Sequence, residues 1–427
     1  MINTSGLSLE QAPPFDVPAR FFLTAPLFAI AAGLVLMTEA EAPFSSRWLP
    51  ATLALTHLIA LGFLGQVMCG ALLQMLPVVA GAPVPRVRLV GTLTHLLLGL
   101  GAFLLAWGFW QGDSPWILAG GTLSGSALLV FLIPVTYALV RARGAPGTLM
   151  SLRAAVLALL VTLVLGATLV GVLLGQVRLE DFSRWVDAHA TWGLLGWVGL
   201  LVVGVATQLV PMFYVTPLYS AGLRRWLSPV LLIALALGTS AWVLGWDRAG
   251  RGLIALAVIG FALFATSTLA LLRQRGRRQG DATLWHWHLA MSCVLGAAML
   301  WTLSGPSLPV GLLLLAGLGL GLPAAMLFKI LPFLAWFHLQ HRQLTTGRFD
   351  QRIPHMGALL PQGWARTQFA VHLLALILLI GAVWAPVLTP VAGLVLALAG
   401  LILLVLLAGV IRTYRLCWLR LTNLVPT

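Results

Sequence analysis

Three stretches decide how this chain folds: GALLQMLP at residues 70–77, GVATQLVP at 204–211 and AMLFKILP at 325–332. Each has a small residue (Gly70, Gly204, Ala325), a long polar one four positions on (Gln74, Gln208, Lys329) and a proline three further (Pro77, Pro211, Pro332). Residues four apart lie on one face of a helix. The small residue lets a neighbouring backbone approach, and the polar side chain can then bond across to it. The proline frees a carbonyl one turn back, which the same polar groups can satisfy inside a membrane.

All three stretches end apolar runs long enough to cross a bilayer. Of the 427 residues, 60% are hydrophobic and only 8% charged, whereas soluble domains carry about a quarter charged residues. A water-soluble core is excluded, and a span needs ~20 apolar residues. Such stretches fall at 21–38, 50–78, 89–110, 116–140, 154–176, 188–214, 227–246, 252–272, 283–303, 308–337, 368–386 and 390–411. Twelve crossings are expected. The three polar positions are 134 and 121 residues apart, four spans each time. That spacing predicts three pseudo-repeated four-helix units at 20–141, 150–273 and 282–414, flanked by tails at 1–19 and 415–427, with a loop at 339–366.

The net charge of +14 is read as topology, not as nucleic-acid binding. With twelve spans, nineteen arginines fall on one side. Only Arg47, Arg178, Arg184, Arg248 and Arg251 fall on the other, beside acids such as Glu39, Glu41, Glu180, Asp181, Asp187 and Asp247. Positive loops stay cytoplasmic, so both termini are expected in the cytoplasm, in a cell inner membrane. All eleven acids lie in loops or tails, which lowers the expectation of proton-coupled transport. Cys69, Cys293 and Cys417 have no metal or disulfide spacing and read as packing residues.

Gln74, Gln208 and Lys329 form a predicted intramembrane polar layer, either as glue at a pseudo-threefold axis or as a pathway lining. Lys329 is the one lysine of the chain; a cation inside a span marks a functional site unless it snorkels to the surface. His57 and His189 precede Gln74 and Gln208 by 17 and 19 residues, which puts both in the outer half. Two neutral imidazoles at matching depth suit axial ligation of haem iron or a copper site, although a lone histidine in a span is often a packing residue. His95, His286, His288 and His372 are secondary candidates toward the cytoplasm. His286 and His288, two apart, cannot share a helix face, and anchoring at the interface beside Trp285 and Trp287 is the preferred account of them.

The second span, with His57, its glycines and PVVAGAPVPR at 77–86, resembles the second helix of the catalytic subunit of haem-copper oxidases, whose twelve helices form three arcs of four. The run HATWGLLGW from His189, ending in QLVPMF at 208–213, resembles their sixth helix. The layout also resembles the NnrS family of membrane haem and copper proteins. The resemblance implies an all-α fold with His57 as an axial ligand of a b-type haem and His189 as a copper ligand. It further implies partners such as a respiratory electron donor or oxidase subunits, and a role in electron transfer, nitric oxide or redox response, or respiratory-complex support. In this chain 227–246 holds no histidine, and Gly193 stands where many oxidases carry a tyrosine. The competing expectations are a transporter of metal, haem or a small solute along the repeat axis, and an assembly subunit.

Overall fold

The computed structural model describes residues 11–39, 44–276, 280–305 and 307–422. Glu41, Arg277 and Arg278, used in the topology argument, lie outside these, as do the two chain ends. Among the described residues there is no strand. The twelve long helices are α1 (Asp16–Thr38), α2 (50–80), α3 (Val87–Gln111), α4 (Ser114–Arg141), α5 (Pro146–Leu173), α6 (Phe182–Tyr214), α7 (Ala221–Val243), α8 (Asp247–Arg273), α9 (Ala282–Ser304), α10 (Leu308–Thr346), α11 (Gln362–Ala382) and α12 (Thr389–Leu421). Among the described residues eleven of them, against the twelve expected, are long and apolar enough to cross a membrane; α9, with 23 residues, carries His286 and His288 in its first turns. The protein is a multi-pass helical membrane bundle.

Local chemistry sets the helix ends. Proline occupies the first turn of α2, α4, α5, α10 and α12, where its missing N–H costs nothing. Ser220 and Asp281 cap α7 and α9 by accepting from the N–H groups of Leu223 and Leu284. Two helices run past their apolar stretches: α10 continues to Thr346 and α12 to Leu421. Their extra turns carry His341 and the good helix formers Arg342, Arg415 and Arg420, polar or charged side chains that water can solvate.

Nine helices make a closed ring. Contacts run from α1 to α3, α4, α5, α7, α8, α9, α11, α12 and back to α1. Inside the ring stand α2, α6 and α10. Of their apolar windows 78%, 67% and 67% is buried, against 22% for α5 in the wall. The wall helices turn Leu96, Phe103, Ile133, Val140 and Val405 outward, which is stable only against lipid. Close approaches are made by small residues. A Cβ on Gly33 of α1 would lie 2.5 Å from the carbonyl oxygen of Gly393 of α12, and one on Gly393 equally close to that of Gly33. Only glycine permits that backbone contact, and it seals the ring.

Candidate metal centres in the central helices

The three central helices share an irregularity. Each carries eight residues of π-helix: Leu58–Gly65 in α2, Trp192–Gly199 in α6 and Leu313–Leu320 in α10. Wider π turns need sequences in which small residues relieve crowding, and they recur at functional sites. The fifth residue of each is a glycine, Gly62, Gly196 or Gly317, on which a Cβ would collide with Phe28 of α1, Ala158 of α5 or Cys293 of α9. Regular α-helix resumes at Gln66, Leu200 and Gly321, and Gln74, Gln208 and Lys329 are each the ninth residue of that run. Just before them, Gly70 lies against Phe21 of α1 and Gly204 against Ser151 of α5.

His57 and His189 are each the eighth residue of their helix, at the end of the bundle where α2 and α6 begin. The ends of α2 and α6 are joined directly by an ion pair between Arg47 and Asp187 and by contact of the Trp48 and Phe182 rings. Both histidines donate through Nδ1 to a backbone carbonyl: His57 to Leu53 of its own helix at 2.8 Å, and His189 to Thr162 of α5 at 3.1 Å. A carbonyl only accepts, so each ring carries its proton on Nδ1 and leaves the Nε2 lone pair free. Phe109 lies over the His57 ring at 4.9 Å between centroids. Gly166 faces His189, where a Cβ would sit 3.0 Å from Cε1. Both rings are half-buried.

A second pair stands deeper, toward the opposite end. His286 of α9 and His372 of α11 are buried, with ring centroids 5.4 Å apart. The His286 Nε2 donates to Gln368 Oε1 at 3.1 Å, and Phe369 packs its edge on the same ring. His286 and Trp287 are therefore inside the bundle rather than at the expected interface, while Trp285 is exposed. The physical reason is the opposing face of α11, where Gln368 and His372, one turn apart, offer polar partners. His288 turns elsewhere and bonds the Leu284 carbonyl, as its two-residue offset requires. His95 bonds Thr24 of α1 through Nε2 at 2.8 Å, and its own carbonyl accepts from Gln66.

No hydrogen bond among the described residues joins Gln74, Gln208 and Lys329. Lys329 is instead ion-paired with Asp281, the cap of α9. Thr283 donates to Asp281 at 2.6 Å and meets the Tyr214 hydroxyl at 2.7 Å. Burial opposes ionisation of Asp281, but the charge of Lys329, with hydrogen bonds from Lys329, Thr283 and the Leu284 N–H, outweighs it and holds the carboxyl below its ordinary range. Gln74 is buried with Oε1 unbonded. Among the described residues no three His, Cys, Asp or Glu side chains converge on one point.

No protein-family model and no curated protein matches this chain. The arrangement above therefore carries the functional reading alone. Sequence reasoning passed over Gln368, Gly321, Asp281, Thr283 and Tyr214. Gln368 and His372, four apart in a helix otherwise apolar there, were the available signal.

Proposed function

We propose that the chain is a membrane metalloprotein which binds the iron of a b-type haem or a copper ion between His57 and His189. The observation that carries this is the matched Nδ1 anchoring of the two rings. Metal-bound histidines characteristically donate their other ring nitrogen to a carbonyl or carboxylate, which fixes the tautomer and aims the free lone pair. The residues fit such a group: each ring keeps a free Nε2 lone pair, the Arg47–Asp187 pair ties together the helix ends that carry the two rings, and Gly166 allows His189 to pack directly on α5. A bound haem or copper supplies one-electron chemistry. The chain's own residues aim the ligands, exclude bulk water and set a low-dielectric surrounding that tunes the potential.

The shared register of the π segments, their fifth-position glycines and the polar residues supports three pseudo-equivalent four-helix units, α1–α4, α5–α8 and α9–α12. With the resemblance of α2 and α6 to haem-copper oxidase helices, this favours electron transfer, nitric oxide or redox response, or respiratory-complex support. The excess of arginine on one side supports an inner-membrane location with both termini cytoplasmic and the His57–His189 site in the outer half.

The test is absorption spectroscopy, oxidised and dithionite-reduced, with metal analysis of detergent-purified protein. Expected are a haem or copper signal in the wild type and its loss or shift in His57→Ala and His189→Ala at similar membrane levels. A wild type expressed with haem and copper supplied, yet colourless and metal-free, overturns the reading and moves the protein to the transporter class.

A further inference from the structure

We infer that His286 and His372 form a separate, buried copper(I) site, with Gly321 providing the room for the ion. Each histidine is almost wholly shielded, at 0% and 3% exposure. Among the described residues the His286 Nδ1 and the His372 Nε2 are both without a hydrogen-bond partner. An unpaired buried ring nitrogen forfeits the hydrogen bond it would make in water, so two of them facing one gap ask for an occupant. They do face one gap. A Cβ placed on Gly321 would lie 2.9 Å from the His372 Nε2 and 3.5 Å from the His286 Nδ1.

The protonation pattern suits a cation. His286 donates through Nε2 to Gln368 Oε1, so its Nδ1 carries a lone pair directed at the gap. Gln368 thus does for His286 what the backbone carbonyls do for His57 and His189. Gly321 is the first α-helical residue after the π segment of α10; the residues at that place in α2 and α6 are Gln66 and Leu200, which carry side chains where Gly321 has none.

Two neutral nitrogens and no carboxylate select the ion. A divalent cation needs more ligands or balancing charge to leave water. Copper(I) carries a single charge, is content with low coordination and accepts imidazole. Cys293 Sγ points at Gly317, one turn from Gly321 on the same helix, so the surroundings of the site are soft as well as dry.

The test titrates detergent-purified protein with ascorbate-reduced copper buffered by bicinchoninate and counts tightly held copper(I). The His57→Ala/His189→Ala double variant serves as background, so that the outer site makes no contribution. Expected is one equivalent in that background and none on adding His286→Ala, His372→Ala or Gly321→Ala. Gly321→Ala keeps both ligands and fills the gap, so it separates loss of room from loss of a side chain. Copper-edge X-ray absorption of the same background should give a two-coordinate, all-nitrogen ion. Full retention of copper in Gly321→Ala and the histidine variants, no copper in the background, or a higher-coordinate spectrum overturns the assignment.

Discussion

Arg47, in the loop before α2, and Asp187, two residues before His189 in α6, are joined across the mouth of the bundle by an ion pair. The pair spans 140 residues of sequence and holds together the ends of the two helices that carry His57 and His189. Both side chains are partly exposed, so the pair contributes no more than about 1 kcal/mol to stability. Its effect is on register: it fixes where α2 starts relative to α6.

Arg47→Ala should therefore leave the melting temperature within a few degrees of wild type and loosen metal retention at His57 and His189 several-fold. Dialysis against a chelator, followed by metal analysis, measures this. Unchanged retention would remove the ion pair from the site's support.

Gly166→Val places a branched side chain where even a Cβ would meet His189 Cε1 at 3.0 Å. The imidazole must turn, breaking its bond to the Thr162 carbonyl. The expected result is a shifted or missing metal spectrum in a protein that still purifies as a monodisperse species. Gly175→Ala, at a turn with nothing near it, is the control for strain alone and should keep the wild-type spectrum.

Lys329→Met leaves Asp281 buried without its cation, a loss on the order of 3 kcal/mol. Lys329→Met/Asp281→Leu should recover much of it, because neither charge then remains; thermal unfolding of the two variants and of Asp281→Leu closes the cycle. The spectrum from the His57–His189 site should be the same in all three. A spectral change in a stable Lys329→Met protein would tie the two regions together.

The same pair predicts an acid transition. Asp281 titrates below its unfolded value of about 3.9, so its contribution to stability is complete above that pH and is lost as pH falls through the lower, folded value. Wild type should lose stability below about pH 4 more steeply than Asp281→Leu. Parallel pH–stability curves for the two would contradict this.

The long helices were legible because charge-free runs and their breaks are one-dimensional signals: Pro146 and Pro309 open helices where the sequence shows them. The pairing of His57 with His189 could be read from their similar distances to Gln74 and Gln208, but not that each is the eighth residue of its helix, because α6 starts at Phe182, ahead of its charge-free run at 188. What was hidden depends on pairing across the chain. His286 and His372 are brought together by the ring order of α9 and α11, which periodicity does not encode. Asp281 reads as a loop acid until the end of α9 is seen to lie beside Lys329. The π segments left only a trace, the glycines at 62, 196 and 317, because widening a helix turn is a matter of hydrogen-bond register rather than composition.

The glycine contact between Gly33 and Gly393 has a consequence for how the protein is made. The wall of the bundle is shut by helices from opposite ends of this sequence, so α2 and α10 remain open to lipid, or to other membrane proteins, until α12 is in place. Assembly is a ratchet whose last tooth is α12: a chain stopped before Thr389 should be cleared by membrane proteolysis, and one carrying Gly393→Leu should be cleared with it, which pulse-chase labelling would reveal.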